Sequence, residues 1–538
     1  MRTRWILLCS LMCFALCSAA KDASSESSKF KILAIFGHNG KSHFDVFKPL
    51  LESLARRGHD LTVVSHFPRS EKSIAAEPLP NYKDVSVLDG EHNVMVNVID
   101  LREMHDTIFK TITNIYMLSV MARMTCENVL KNPELKRIVE SGEKFDLVIT
   151  ESFNTNCFMP VIKKLDAPFV QISTHQLMDW AIDQLGTSYE ASHKPSIFSG
   201  LERPMNFLQR TWNVLAIWLT TSAYDTIFHW HDQSLGEKYY GPGVPDVKEI
   251  SKNVSLMLLN THYSLHGAQL FPPNIVEVGG MHLPSKPSPL PKDVKKFLDE
   301  AREGVLYFNL GSMVKMASIP EEKLTAVLNV LSSIPRKVIW KWETDQVPLK
   351  SSNILVKKWL PQFDILSHPN VKCYFGHGGL LGLTEGVYNG VPMVLMPLYG
   401  DQHQNSYAAQ ARGAAQVLTY PDLNEQSLRH ALDEAFNNTR YRENAKKLSR
   451  AFKDRPVTPL ETAIWWVEYV ARGDSVTYLK NEAARMPWYQ RNLIDVGVFL
   501  VAVVSLSLYA TYRVAKHLLC KGNKTKGNRD RTASKKRD

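Results

Sequence analysis

Residues 374–402 read YFGHGGLLGLTEGVYNGVPMVLMPLYGDQ and place several kinds of ligand chemistry at short, regular spacings. An apolar run (371–375) breaks into His377-Gly378-Gly379, then a helical segment, then a second apolar run (391–396) ending in Asp401-Gln402. Strand, glycine turn, helix and strand make a βαβ unit whose turn opens a helix. Free backbone N–H groups and the helix dipole attract a phosphate there. Glu385 falls one to two turns into that helix, where a carboxylate reaches ribose hydroxyls. Asp401 and Gln402 follow the next strand, at the carboxyl edge where α/β sheets hold ligands. An anion site, a ribose site and a further polyol site in one unit point to a nucleotide-sugar.

The elements that must carry this unit belong to an α/β chain. Residues 30–36 (FKILAIF) read as a buried strand, followed by a loop carrying His38 and His43. Phe47, Leu50, Leu51 and Leu54 then recur at helical spacing and Gly58 ends that helix. Residues 61–65 and 145–150 are further strands, the second with Glu151 at its carboxyl end, and the order predicts a parallel sheet. Residues 180–250 are rich in Trp, Phe and Tyr without clean periodicity, which fits either irregular helices around an apolar cavity or core. The proline-dense 283–291 (LPSKPSPLP) reads as an interdomain linker. After it the rhythm restarts: a strand at 304–310, Gly311-Ser312-Met313, a helix from near Pro320, and a strand at 337–340. Two α/β halves joined by a linker imply a cleft between them.

Composition removes several function classes. The formal charge of +10 is not a nucleic-acid footprint: ten Lys or Arg and two Asp in 513–538 supply +8, Arg2 and Arg4 supply the rest, and 21–512 is neutral. Residues 1–20 carry two arginines, an apolar core and small residues before a polar shift, the pattern of a secretory signal peptide cleaved near Ala20. Residues 496–512, with Leu493 and Ile494, are long enough to span a bilayer, and the basic tail places the far side in the cytosol. Cys9, Cys13 and Cys17 leave with the signal and Cys520 lies beyond the span. Cys126, Cys157 and Cys373 remain, without metal-ligand spacing or a disulfide framework, though one bridge is possible. Asn253 and Asn437 open glycosylation sequons on the signal-peptide side of the span, while Asn523 opens one on the other. No Asp-x-Asp pair for a divalent metal occurs. Gly40-Lys41-Ser42 is not a phosphate-binding P-loop, because Ile35 stands where that loop needs its first glycine. Lys535 and Lys536, three and four from the end, match a dilysine retrieval signal for the endoplasmic reticulum.

The block 374–402, Trp359-Leu-Pro-Gln362, Asn309-Leu-Gly-Ser-Met313 and Trp488-Tyr-Gln490 together closely resemble the UDP-glycosyltransferase family, of the microsomal UDP-glucuronosyltransferase type. The resemblance runs over almost the whole chain, and HGGLLGLTEG looks most like invertebrate members. It implies two facing Rossmann-like domains, the GT-B architecture, with a C-terminal transmembrane helix. The implied boundaries are 1–20 for the signal peptide, 21–283 for an acceptor-binding domain and 284–480 for a UDP-sugar-binding domain. A juxtamembrane segment (481–492), a transmembrane helix (493–512) and a cytosolic tail (513–538) follow.

Carried over residue by residue, the resemblance implies that Trp359 stacks on uracil, with Gln362 near base and ribose. Glu385 takes ribose hydroxyls, since a carboxylate offers several acceptor sites. His377 meets the diphosphate with Gly378, Gly379 and Ser312, and Asp401 and Gln402 hold sugar hydroxyls. Two departures leave one donor hydrogen bond of the family pattern open: Gly376 stands where many relatives have Ser or Thr, and Leu381 where vertebrate relatives often have Asn. In the family a histidine of the first βα loop is the base. Ser42-His43-Phe44 fits that motif and selects His43 over His38, and Glu151 occupies the supporting position where most relatives have Asp. The expected activity is inverting transfer of glucose or glucuronate, in the manner of detoxifying enzymes, from a UDP-sugar co-substrate to a small lipophilic acceptor. No other cofactor and no metal is expected. The body is expected on the lumenal side of the endoplasmic-reticulum membrane, on a type I anchor, with homo-oligomerisation open. The competing expectation is a catalytically silent, membrane-anchored protein that binds nucleotide-sugars or lipophiles.

Overall fold

A computed structural model describes residues 29–88, 94–104, 110–348, 351–473 and 476–534. The signal peptide and the final Lys535 and Lys536 lie outside the described residues. Residues up to Asn481 form one compact unit, and Glu482 onward form a second.

The first half of the compact unit is a seven-stranded sheet in the order β3-β2-β1-β5-β6-β7-β8, parallel throughout. Its strands and helices follow in chain order. β1 (Lys31–Phe36) leads to α1 (Lys41–Arg56), then β2 (Asp60–Ser65) and β3 (Tyr82–Ser86). After a short β4 (Ile99–Asp100) and a long α2 (Lys110–Leu130) come β5 (Leu147–Glu151) and β6 (Phe169–Ser173). α3 (Phe207–Ala223) and α4 (His229–Tyr240) precede β7 (Leu256–Leu259) and β8 (Ile275–Glu277). Because helices cover both faces, β1 and β7 are apolar at nearly every position. Leu33, Ile35 and Val148 face one buried cluster, while Ile32, Ala34, Leu147 and Ile149 face the other.

The second half repeats the plan with six parallel strands in the order β12-β11-β9-β13-β14-β15. β9 (Val305–Asn309) is followed by a short β10 (Val314–Lys315), β11 (Lys337–Lys341) and β12 (Ile354–Lys357). β13 (Val371–Gly376), α5 (Leu380–Asn389), β14 (Met393–Leu395), α6 (Gln402–Ala411) and β15 (Ala415–Val417) complete it. Phe308, Trp340 and Phe375 stack across three adjacent strands on one face, and Tyr307, Ile339 and Tyr374 line the other.

In each half the first strand has a neighbour on either side, reached by chain running in opposite directions. The strand order therefore reverses between β1 and β5, and again between β9 and β13. A crevice opens at such a reversal, at the carboxyl ends of the strands.

Among the contacts between the halves, two come from chain that crosses from one to the other. β4 pairs with β10, so residues beyond the first half's β3 join the second half, and the Asn97 N–H donates to the Ser312 carbonyl at 2.8 Å. After the second sheet is complete, α7 (Pro459–Ala471) returns to the first. Its Ile464, Val467 and Val470 are buried against Ile32, Leu147 and Leu256, each such side chain contributing roughly 1.5–3 kcal/mol. Glu468 accepts from Arg57 Nε at 2.7 Å and His59 Nε2 at 3.0 Å.

One sequence expectation changes and two that were open are resolved. The loop expected to carry His43 is helix by that point: α1 starts at Lys41, and the His43 N–H bonds the Gly40 carbonyl at 3.1 Å. The apolar stripe of α1 begins at Phe44, three residues earlier than Phe47, and holds the extra turn in place. Cys126 and Cys157 are joined in a disulfide, and Cys373 is free and buried. The aromatic stretch 180–250 is largely helical, with Trp180, Tyr224 and Phe228 stacked in the core.

In the second unit a long helix, α8 (Ile494–Ser534), contains one segment, Ile494–Leu519, apolar and long enough to cross a membrane. It matches the expected 493–512 and extends it.

Candidate functional site

The crevice between β1 and β5 holds a histidine–carboxylate pair, Glu151 buried and His43 largely so. α1 starts five residues after β1 and brings His43 to the crevice in its first turn, while Glu151 is the last residue of β5. His43 Nδ1 and Glu151 Oε1 are 2.5 Å apart. Thr174, just past β6, sets its hydroxyl 3.3 Å from the same carboxylate oxygen and 3.2 Å from His43 Nδ1. His38 packs against His43 with ring centroids 4.1 Å apart and planes tilted by 48°, and His175 and Phe153 complete an aromatic box at 4.8 and 4.9 Å. Gly40 permits this, since a Cβ there would lie 2.7 Å from His38 Nε2.

Burial decides the charges in the box. It lowers His43 to about 3 and raises the Glu151 carboxyl to about 7, the latter against the pull of His38 and the Thr174 hydrogen bond. His38 and His175 are held well below the ordinary histidine range, first by burial and then by His43. The imidazoles are therefore neutral at physiological pH. With Glu151 at Nδ1, the Nε2 of His43 is left to act on a third group.

The crevice between β9 and β13 holds the glycine turn. His377 is half-buried with its enclosed Nδ1 unpartnered, and its ring is wedged between Gly311 and Gly379. Gly311 has φ of +85°, and a Cβ there would sit 2.6 Å from the ring, so both conformation and space require glycine. Gly378 is likewise left-handed (φ +79°) and packs on Ser406 and the Gln402 backbone. Burial lowers His377 to about 4, and the charge of Lys341 adds to the shift. Lys341 ends β11 one residue beyond the Trp340↔Phe308 pair, level with Asn309, which itself pairs with Gly376.

A hydrogen-bonded chain crosses the floor of this crevice. Asn309 Nδ2 donates to Gln362 Oε1 at 2.6 Å, and Gln362 Nε2 donates to Glu385 Oε2 at 2.5 Å. Burial raises Glu385 to about 7 against that bond. Trp359 stands 64% exposed, its face free to take a planar base. Asp401 stands just before α6 and accepts from Asn405 Nδ2 at 2.7 Å; burial raises it to about 6. Gln402 spends its carbonyl oxygen on the Leu398 and Tyr399 N–H groups, at 2.9 and 3.2 Å. Ser312 lies in the turn after β9, its carbonyl held by Asn97.

The two sequence departures have physical explanations. Tyr374 lies over Gly376, where a Cβ would come within 2.5 Å of the phenol oxygen, and the same oxygen packs on Gly382. The phenol thus occupies the space a Ser or Thr side chain at 376 would need. Leu381 packs against the core of the first half, where an asparagine would bury an amide among apolar groups.

Sequence reasoning missed Thr174, His175, Gln176, Asn405 and Lys341. Gln176 Nε2 reaches Asn405 Oδ1 at 3.5 Å, and Asn405 Nδ2 also lies 3.2 Å from the Gly378 carbonyl. The two crevices are thereby linked through two side chains. The carboxyl-edge rule applied to β6 would have flagged 174–176. Of the sequon asparagines, Asn253 and Asn437 are both exposed. Among the described residues one group has the spacing of metal ligands, Cys126, Cys157 and Asp232. Its cysteines are disulfide-bonded and its carboxylate accepts from Thr155 and the Asn156 N–H, each at 2.6 Å.

Residues 31–529 match the family model described as "UDP-glucoronosyl and UDP-glucosyl transferase". The chain belongs to this family. It is similar to UDP-glycosyltransferase UGT5 of Dactylopius coccus, 36% identical over 506 residues that cover 92% of this chain and 94% of the relative. It is also similar to UDP-glucuronosyltransferase 2B15 of Rattus norvegicus, 30% identical over 488 residues covering 87% and 89%. Among solved structures, a UDP-glucosyltransferase from Polygonum tinctorium aligns with a TM-score of 0.56 at 16% identity, covering 84% of this transferase and all of that chain. The fold is GT-B, two parallel α/β halves, with one C-terminal apolar helix.

Proposed function

We propose that this transferase moves a hexose from a UDP-sugar to a hydroxyl of a small lipophilic acceptor, with inversion, using His43 as general base. The observation that carries this reading is the 2.5 Å contact between His43 Nδ1 and Glu151. With Glu151 ionised, Nδ1–H donates to it and the Nε2 lone pair is free to take the acceptor's proton. The imidazolium that forms is stabilised by the same carboxylate, as in triad chemistry. The acceptor oxygen then attacks the anomeric carbon from the side opposite the leaving diphosphate, and a single in-line displacement inverts the centre.

On the donor side the exposed face of Trp359 suits uracil, and the Gln362–Glu385 pair suits the base and ribose. Gly378, Gly379 and His377 receive the diphosphate at the start of α5, with Ser312 beside them and Lys341 adding a cation. Asp401 and the Gln402 amide bind sugar hydroxyls. The UDP-sugar is consumed as a co-substrate, and no metal is assigned a step. Invertebrate resemblance favours UDP-glucose over UDP-glucuronate.

We place the body in the lumen of the endoplasmic reticulum, anchored by Ile494–Leu519 with the basic tail in the cytosol. The buried Cys126–Cys157 disulfide suits an oxidising compartment, and glycosylation of the exposed Asn253 and Asn437 is compatible with it. Turnover of the membrane-embedded chain with UDP-glucose, UDP-glucuronate and a panel of phenols tests the reading. An inverted product is expected. UDP binding without turnover on any acceptor would instead favour a silent binder.

A further inference from the structure

The outer face of the first half is built inside out. α3 buries Asn213, Ala216 and Thr220, its polar groups satisfied inward: Asn213 Oδ1 accepts from the Ser196 N–H at 2.6 Å and Thr220 donates to Asp179. Its outward positions are apolar, with Leu208 74%, Trp212 41% and Trp218 67% exposed. The neighbouring α2 continues the surface, presenting Ile112, Tyr116, Val120 and Met124 at four-residue spacing, each 38–65% exposed. Trp230, at the start of α4, is 65% exposed. A soluble helix places these two kinds of residue the other way round, and contiguous exposed apolar surface of this kind marks an interaction site.

We propose that the α2–α3 face lies on the lipid bilayer, embedding its tryptophans at headgroup level. The proposal rests on the reading of Ile494–Leu519 as a membrane span. Only residues 482–493 separate the compact unit from that helix, so the body is held at a membrane throughout its life. The chemistry of the face fits lipid. Trp and Tyr are the residues that settle at the boundary between acyl chains and headgroups. Among the described residues of α2 and α3 the exposed charged side chains are Arg123 and Arg210, and the one acid, Glu127, is paired with Lys238 at 3.5 Å. Two such faces from a dimer would bring arginines together with no free acid to pair them, whereas phosphate headgroups supply the anion. Interfacial helices of this composition bind by apolar burial plus attraction to anionic lipid.

The test uses the full chain reconstituted in phosphatidylcholine–phosphatidylserine vesicles, with a specific protease site inserted between 482 and 492. After cleavage the body is expected to float with the vesicles. The combined Trp212→Glu, Trp218→Glu and Trp230→Glu variant is expected to release it, with at least a tenfold loss in the bound fraction. Arg210→Glu, a milder change, should weaken retention on anionic vesicles and leave it unaltered on pure phosphatidylcholine. Unchanged UDP binding in each variant reports an intact fold. Release of the unsubstituted body as complete as that of the triple variant would overturn the proposal. So would a vesicle-free body that is dimeric and becomes monomeric on the same substitutions, since the face would then serve a second copy. Extraction of the uncut chain by alkaline carbonate would overturn the span itself, and the face with it.

Discussion

The crevice between β1 and β5 and the crevice between β9 and β13 are built by the same rule and hold opposite kinds of chemistry. Both open where strand order reverses, and both draw residues from the first strand's loop and from the end of the neighbouring strand. The first gathers titratable groups that touch each other: His43 against Glu151, with the His38 and His175 rings packed around them. The second gathers groups spread apart: Trp359 exposed, His377 wedged between glycines, Glu385 and Asp401 each tied to an amide. A touching pair can relay a proton, and a spread set can bind an extended ligand. Under the proposed function the fold separates proton handling from donor binding, a separation that substitution can test.

The largest effect is expected from His43→Ala. Turnover should fall by about 10²–10⁴, while UDP affinity, measured by calorimetry, should hold because its contacts lie in the other crevice. Acidic phenols, already ionised, should be partly spared. His38→Ala, which removes a stacking ring but no bond to the acceptor, should leave chemistry nearly intact. Equal losses in the two variants would erase the distinction between base and neighbour.

Glu151 carries the pH dependence. Burial raises its carboxyl from the ordinary 4.5 to about 7. Below that pH the protonated carboxyl donates to Nδ1, which shifts the imidazole proton to Nε2 and removes the base. Turnover should therefore fall as pH drops through about 7. Glu151→Gln should reduce turnover at neutral pH and abolish that limb, a pH–rate profile being the measurement. Stability runs in the opposite sense. A carboxyl whose pKa is raised on folding favours the native state fully below about 4.5, and this contribution is lost as pH rises through 7. The thermal midpoint should respond to Glu151→Gln more at pH 8 than at pH 5.

The contrast also explains what could be read from sequence. The crevice between β9 and β13 is nearly contiguous in sequence: His377, Glu385 and Asp401 fall within one βαβ unit, where their spacing can be read directly. The crevice between β1 and β5 joins residues 43, 151 and 174, far apart in the chain and without a local motif, so His43 and Glu151 could be proposed only through family resemblance. Thr174, His175 and Gln176 carried no signal beyond their place after an apolar strand. The helices of 180–250 escaped periodicity because α3 is apolar on its outer face and polar on its buried one, so no ordinary amphipathic pattern exists to detect. The return of α7 to the first sheet is a tertiary event, and nothing in 459–471 names its partner.

Glu385→Ala should act on the donor crevice alone. Loss of ribose bonds to a charged acceptor should raise the UDP-sugar requirement by about 1.5–3 kcal/mol, read as KM. Acceptor KM should barely move. A weakened acceptor with unchanged UDP affinity would reverse the assignment of the two halves.

The smallest effect tests whether the crevices are independent. Gln176 follows β6 beside Thr174 and His175, and its amide meets Asn405, which also holds Asp401 and lies against the Gly378 carbonyl. At 3.5 Å this bond is at the limit of useful geometry, so Gln176→Ala should cost only about 0.5 kcal/mol, the low end for a neutral bond. Its signature lies in coupling. If the bond transmits donor occupancy to the base, the penalty of Glu385→Ala on acceptor turnover at saturating UDP-sugar should change when Gln176→Ala is added. A double-mutant cycle reads this directly. Strict additivity would mean that the two crevices meet only through the substrates themselves.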